Sequence, residues 1–175
     1  MATAAHIRTA AERQMANQCL FNGLAVIGAT ATAFTTTGAG AITVAGVMRN
    51  IAAQTNTALA ALVAADLPAS QVDYVQPTGS TGFVQQPVGT TCYYVIGANA
   101  AGTVKVVQGG FDGLAIGSGG YAVGKSVIPD IPLGFTAFAV MKVVSGTAVF
   151  LAGTTALTGV ATFINVGLVP VATTF

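Results

Sequence analysis

Apolar residues fall at helical spacing most clearly at the start of the chain. In TAAHIRTAAERQMANQCLFNG, Ile7, Ala11, Met15 and Cys19 recur four apart, on one face of a helix, with Arg8, Glu12 and Arg13 elsewhere. Thr3 suits the N-cap and Gly23 the position just past the C-terminus. Arg8 and Glu12 stand one turn apart, a pairing worth roughly a few tenths of a kcal/mol. A stripe this narrow needs a surface to lie on, either the body of the chain or a neighbouring subunit. Residues 1–23 therefore read as an N-terminal helical arm, and 24–175 as a single β-rich domain.

From Leu24 onward the pattern changes to short β-prone runs punctuated by glycine. ATAFTTT and AITVAGVM flank Gly38-Ala39-Gly40, which predicts a hairpin with a three-residue turn. TNTALAALVAADLP predicts one short additional helix, capped near Thr57 and stopped before Pro68. TTCYYVIGANAAGTVKVVQGG predicts two strands, Thr91 to Ala98 and Thr103 to Gln108, joined around Asn99 to Gly102. GFTAFAVMKVVSG and TAVFLAG predict another antiparallel pair turning at Ser145-Gly146, and TGVATFINVGLVP a last strand. Frequent turns without strand–helix alternation give a mainly β fold, an antiparallel sandwich or jelly-roll-like body.

Composition sharpens this picture. Only 6% of the 175 residues are Asp, Glu, Lys or Arg, against about 25% in an ordinary soluble domain. The formal net charge is +1 and tryptophan is absent. Soluble monomers usually carry a mixed, charged surface. A chain without one is covered by partners, sits in lipid, or presents neutral Thr, Gln, Asn and Ser. The six basic residues are scattered, which argues against nucleic acid as a partner, since phosphate binding relies on clustered Lys and Arg. The two long charge-free stretches, between Arg13 and Arg49 and after Lys142, are broken every few residues by Gly, Thr, Asn or Pro. A membrane-spanning helix needs about 20 predominantly apolar residues in a row, so no membrane is expected. Ala29-Thr30-Ala31 resembles a signal cleavage site, but the leader before it is long and contains Glu12. Synthesis in the cytoplasm is the expectation, with Cys19 and Cys92 as buried small hydrophobes rather than a disulfide.

One stretch fits a chemical motif letter for letter. GGYAVGKS, Gly119 to Ser126, matches the phosphate-binding loop pattern G-x-x-x-x-G-K-[ST]. That loop works by joining a buried strand to the N-terminus of a helix, whose backbone N–H groups hold the anion. Here Val127-Ile128-Pro129-Asp130-Ile131-Pro132 follows. Two prolines three apart forbid the helix interior, and each pushes the residue before it toward an extended conformation. The match reads as a glycine-rich loop leading into extended chain, with no nucleotide and no cofactor expected.

Other chemistry is sparse. His6 is the only histidine and lies on the arm without acidic or nucleophilic neighbours in sequence. Two cysteines and one histidine do not supply the usual four zinc ligands, and no serine sits in a G-x-S-x-G elbow. Glu12, Asp66, Asp73, Asp112 and Asp130 include no close pair in sequence, although a fold could bring two together for glycoside chemistry. Tyr93 and Tyr94 share a strand, so one ring should face the core and the other the surface, suited to interface packing or to stacking on a sugar. No catalytic, metal or cofactor-binding residue is assigned, and the chain is not expected to be an enzyme.

The Ala-rich arm MATAAHIRTAAERQMANQCLFNGLAV, the Thr/Ala-rich strands after it, YYVIGANAAGTVKVVQGG and IPDIPLGFTAFAVMKVVSG together resemble small virion structural proteins of tailed bacteriophages. Within that group the chain looks most like a capsid decoration (cement) protein, with fibre or tail components next. The likeness is one of texture across most of the chain and carries no diagnostic ligand or catalytic motif. It implies a β-rich body and a terminal arm that binds neighbouring subunits. It also implies a homo-oligomer, dimer or trimer, on the capsid exterior, with the major capsid protein as partner. The function expected is to bind the outer shell and bridge neighbouring capsomers. The alternative is a tail or head fibre, or a glycan-binding adhesion module. The arm residues expected to make the contacts are Ile7, Arg8, Met15, Leu20 and Phe21.

Overall fold

A computed structural model of the chain describes residues 18–19, 24–66, 82–112, 126, 128–129, 131–132 and 134–165. The chain is mainly β, with antiparallel sheets. Among the described residues ten strands run in order: β1 (Gln18–Cys19), β2 (Val26–Thr30), β3 (Ala33–Thr36), β4 (Gly40–Val44), β5 (Val47–Ile51), β6 (Thr57–Ala58), β7 (Thr91–Asn99), β8 (Val104–Asp112), β9 (Phe135–Val144) and β10 (Ala161–Asn165). They form a four-stranded sheet, β10-β9-β7-β8, and two three-stranded sheets, β1-β4-β5 and β2-β3-β6.

The four-stranded sheet is the spine. β7 (TCYYVIGAN) and β9 (FTAFAVMKVV) are rich in β-branched and aromatic residues and run almost continuously apolar, the pattern of strands covered on both faces. On one face Cys92, Tyr94, Ile96, Ala98, Phe138, Met141 and Val143 join Leu24, Phe34, Ile42, Val44 and Ile51 from the small-sheet region in one buried cluster. On the other, Leu62, Val95, Val107, Phe135 and Val140 form a second, smaller one. Each large side chain so buried contributes about 1.5–3 kcal/mol. The Thr136 hydroxyl donates to Thr43 O at 2.6 Å, tying β9 to β4.

Two irregularities aim these side chains. Ile96 pairs with Ala139 but Gly97 with Ala137, so Phe138 is an extra residue on β9. This bulge lets Phe138 and its neighbour Ala139 both reach the large cluster. Gly97 itself has no room for a side chain. A Cβ there would lie 2.2 Å from Thr136 O and 2.6 Å from the Phe135 ring.

The strands expected around Asn99 to Gly102 and the last strand are present, as β7–β8 and β10. Three expected elements are corrected. β3 and β4 belong to different sheets, so Gly38-Ala39-Gly40 does not join a hairpin. The hairpin lies inside AITVAGVM instead: β4 pairs with β5 from Gly40↔Ile51 to Val44↔Val47. Ala45 and Gly46, with φ of 50° and 79°, make its two-residue turn.

The helix expected from Thr57 is also absent. Thr57–Ala58 is strand, and only Ala64–Asp66 turns, as 3-10. Its backbone is claimed by β8: Val106 N donates to Ala60 O at 2.8 Å and Leu62 N to Val106 O at 2.9 Å. Tertiary pairing here overrides the helix propensity of an Ala/Leu run. Finally, TAVFLAG does not pair back onto β9. Phe150 bridges Gln86 through hydrogen bonds of 2.7 and 3.0 Å, and β9 takes β10 as its neighbour.

Of the expected helical arm, only Gln18–Cys19 is described. These two residues pair with Thr43 and Ile42 as a strand, so the helix does not run through them. The remainder of the arm lies outside the described residues.

Candidate functional site

Two features concentrate polar or exposed groups: a buried polar network beneath the loop before β7, and the open edge at β5. The network begins with Gln108 on β8. Its amide accepts from Val84 N at 2.8 Å and donates to Val84 O at 2.7 Å, so one side chain satisfies both backbone groups of Val84. Gln108 also donates to the Tyr94 hydroxyl at 3.3 Å, and that hydroxyl donates to Gln86 Oε1 at 3.4 Å. Gln86 Nε2 donates to Thr90 O at 2.8 Å and Val143 O at 3.2 Å. Ser145 Oγ accepts from Thr90 N at 3.0 Å and lies against Pro87 O. Phe83 and Phe150 stand edge-on to Tyr94, ring centroids 6.2 and 6.0 Å away.

The chemistry of this network is that of a fastener. Burial pushes the Cys92 thiol up to about 12 and outweighs the bonds that would lower it. Burial, with Cys92 beside it, also raises the Tyr94 phenol well above its ordinary range. Both groups stay protonated at neutral pH, so Cys92 offers no thiolate nucleophile. Its burial matches the expectation of a small hydrophobe.

At β5 the arrangement reverses. β4 buries Gly40, Ile42 and Val44, while its neighbour exposes Val47, Met48, Arg49 and Asn50. Met48 is 62% exposed and Val47 50%. In a two-residue hairpin the pair flanking the turn exchanges both hydrogen bonds and the next pair none. The backbone groups of Met48 and Asn50 therefore point away from β4, along an edge that no described strand occupies. The edge is hidden in the sequence because AITVAGVM reads as one strand. The Ala-Gly pair inside an apolar run was the available signal.

The residues singled out from sequence fall as follows. Ile7, Arg8, Met15, Leu20 and Phe21 lie outside the described residues, as do His6, Cys19's side chain and Gly119 to Lys125. Ser126, Ile128, Pro129, Ile131 and Pro132, after the glycine-rich loop, are neither helix nor strand, and the two prolines account for the lack of helix. Of the five acidic side chains only Asp66 is described. Tyr94 is buried and Tyr93 half-buried, with Tyr93 packing against the smaller cluster. Among the described residues, no three His, Cys, Asp or Glu side chains group as a metal site, and no helix is long and apolar enough to cross a membrane.

No protein-family model, curated protein or solved structure matches this chain.

Proposed function

We propose that the chain is a structural virion protein that binds the outer surface of a capsid and bridges neighbouring capsomers as a dimer or trimer. The observation that carries this reading is the β4–β5 hairpin. It presents Val47 and Met48 beside backbone groups that no described strand pairs with, on a chain with only 6% charged residues. A shell contact needs apolar area and strand edges rather than catalytic groups. At roughly 25 cal/mol per Å², a few hundred Å² of apolar burial gives several kcal/mol before association costs. Repetition around a shell adds avidity. Pairing along a free edge supplies main-chain hydrogen bonds, with exposed side chains giving specificity. A sandwich-like body is part of the same proposal, resting on the apolar cluster shared by the large sheet and the small ones.

Because Gln18–Cys19 pairs with β4, an arm truncation should stop at Asn17 to leave the sheet intact. Met48→Pro removes an outward N–H without touching the β4 ladder, a position where edge strands tolerate proline. Co-sedimentation with capsid shells should be lost in the truncated protein and weakened in Met48→Pro, while both keep the native circular dichroism. Undiminished attachment by both variants sinks the reading, and specific glycan binding by the isolated oligomer would replace it with an adhesion module.

A further inference from the structure

Asp66 holds two other side chains on its two carboxylate oxygens. Lys105 Nζ ion-pairs with Oδ2 at 3.1 Å, and Asn99 Nδ2 donates to Oδ1 at 3.4 Å. Val63 N donates to Oδ2 at 3.0 Å and fixes the carboxylate in place. The side chains of Lys105 and Asp66 are only 19% and 17% exposed, and Asn99 as a residue 4%.

The sheet brings these groups together. Lys105 lies opposite Gly97 and Val104 opposite Ala98, so alternation puts Gly97, Asn99 and Lys105 on one face. It is the face of the smaller cluster, which includes Val95, Val107 and Phe135. Glycine at 97 removes the side chain that would stand across from Lys105, and the Phe135 ring closes over that position. The Asn99 carbonyl is held as well: Oδ1 accepts from Ala101 N at 3.1 Å and Thr103 N at 2.9 Å. The Asn99 amide thus has its oxygen on two N–H donors and its nitrogen on one oxygen of a carboxylate whose other oxygen holds a primary amine. Donors fixed on a carbonyl oxygen favour the charge that develops there during attack. Shared positioning removes much of the entropy cost of bringing the reactants together.

We propose that Lys105 and Asn99 join in an intramolecular isopeptide bond, with Asp66 as the proton carrier. Asp66 takes one proton from the Lys105 ammonium, leaving a neutral Nζ. Nζ attacks Asn99 Cγ, forming the Nζ–Cγ bond, and the charge on Oδ1 is held by the Ala101 and Thr103 N–H groups. Asp66 passes its proton to Nδ2 and takes a second from Nζ. The Cγ–Nδ2 bond breaks, and ammonia leaves with that second proton as ammonium. The third proton stays on the new amide, Asp66 is again a carboxylate, and no oxidant or other co-reactant is consumed. The product is a covalent bridge between β7 and β8 across their turn.

The test is intact mass spectrometry of the folded, purified full chain after incubation at neutral pH, followed by trypsin mapping. The expected result is a mass lower by one ammonia, with cleavage after Lys105 lost and a single peptide, residues 50–125, that carries an internal loop closed between Lys105 and Asn99. Lys105→Arg keeps the positive charge but should abolish the mass loss, and Asp66→Ala should abolish it while circular dichroism reports whether the fold is kept. An unmodified mass in the folded wild-type protein overturns the proposal. So does an ammonia loss that persists in Lys105→Arg, because Asn99 would then be closing on its own backbone.

Discussion

β8 and β5 both stand at the end of a sheet, yet among the described residues one edge is partly covered and the other is bare. Along β8, Ala60 and Leu62 supply backbone partners for Val106, and the Gln108 amide pairs with Val84. Along β5, four consecutive residues are exposed and no described strand lies beyond. An unpaired edge is a template for another chain, and proteins usually blunt it. At β8 the segment through Ala60 and Leu62 does so by pairing with Val106. At β5 the single charge of Arg49 is the only obvious deterrent on the strand. The contrast sets an exposed hairpin against a spine, β7–β9, whose side chains fill the large apolar cluster.

The largest expected effect separates the two regions by pH. Unfolded, Cys92 ionises near its ordinary value of 9.0, whereas folded it holds its proton to about 12. The folded state therefore binds more protons within that window. The stabilisation is present below about pH 9 and is lost as pH rises toward about 12, at about 1.4 kcal/mol per pH unit. Tyr94, also raised, steepens the loss above its ordinary value of 10.0. Urea midpoints taken from pH 7 upward should fall beyond about pH 9, and less so in Cys92→Ala. An unchanged slope in that variant would remove Cys92 from the argument.

Next come two glycines required for different reasons. Gly97→Ala drives a Cβ into Thr136 O and the Phe135 ring, an overpacking cost of roughly 3 kcal/mol. Gly46→Ala meets nothing within 4 Å but sits at φ +79°, which costs roughly 1–2 kcal/mol. Chemical denaturation should rank them in that order. Equal losses would mean the spine tolerates more movement than its close contacts imply.

Gln108→Leu should destabilise by roughly 2–3 kcal/mol, since it strands the N–H and C=O of Val84 away from their partners. Asn50→Ala on the open edge should stay within about 0.5 kcal/mol. A large effect at Asn50 would show that β5 is already covered in solution. The smallest change expected is a gain. Ala45 adopts φ 50° in the hairpin turn, and Ala45→Asn installs the Asn-Gly pair that such turns prefer, worth about 0.5 kcal/mol. Thermal unfolding would register it as a slightly raised midpoint.

The class of fold and the strongest strands are written into the residues themselves. Runs such as CYYVIGA and FAVMKVV were legible as strands, and so was the Asn99–Gly102 turn between β7 and β8, whereas burial on both faces of β7 emerged only in the structure. The prolines after Ser126 likewise spoke against a helix there, and the described residues of that stretch carry none. What the sequence left open was pairing. ALAALV has the composition of a helix, and only the unsatisfied edge of β8 draws its backbone into extended form. TAVFLAG could equally have folded back on β9, but Gln86 offered its backbone and β10 took the place beside β9. The Asp66–Lys105–Asn99 group was invisible for the same reason, since its members are 33 and 6 residues apart from Asn99 along the chain and meet only through register. Local propensity fixes which segments can be strands, because it acts through each residue's own backbone and side chain. Partner choice depends on hydrogen-bonding groups contributed by distant segments, and that was decided only when the sheets assembled around one core.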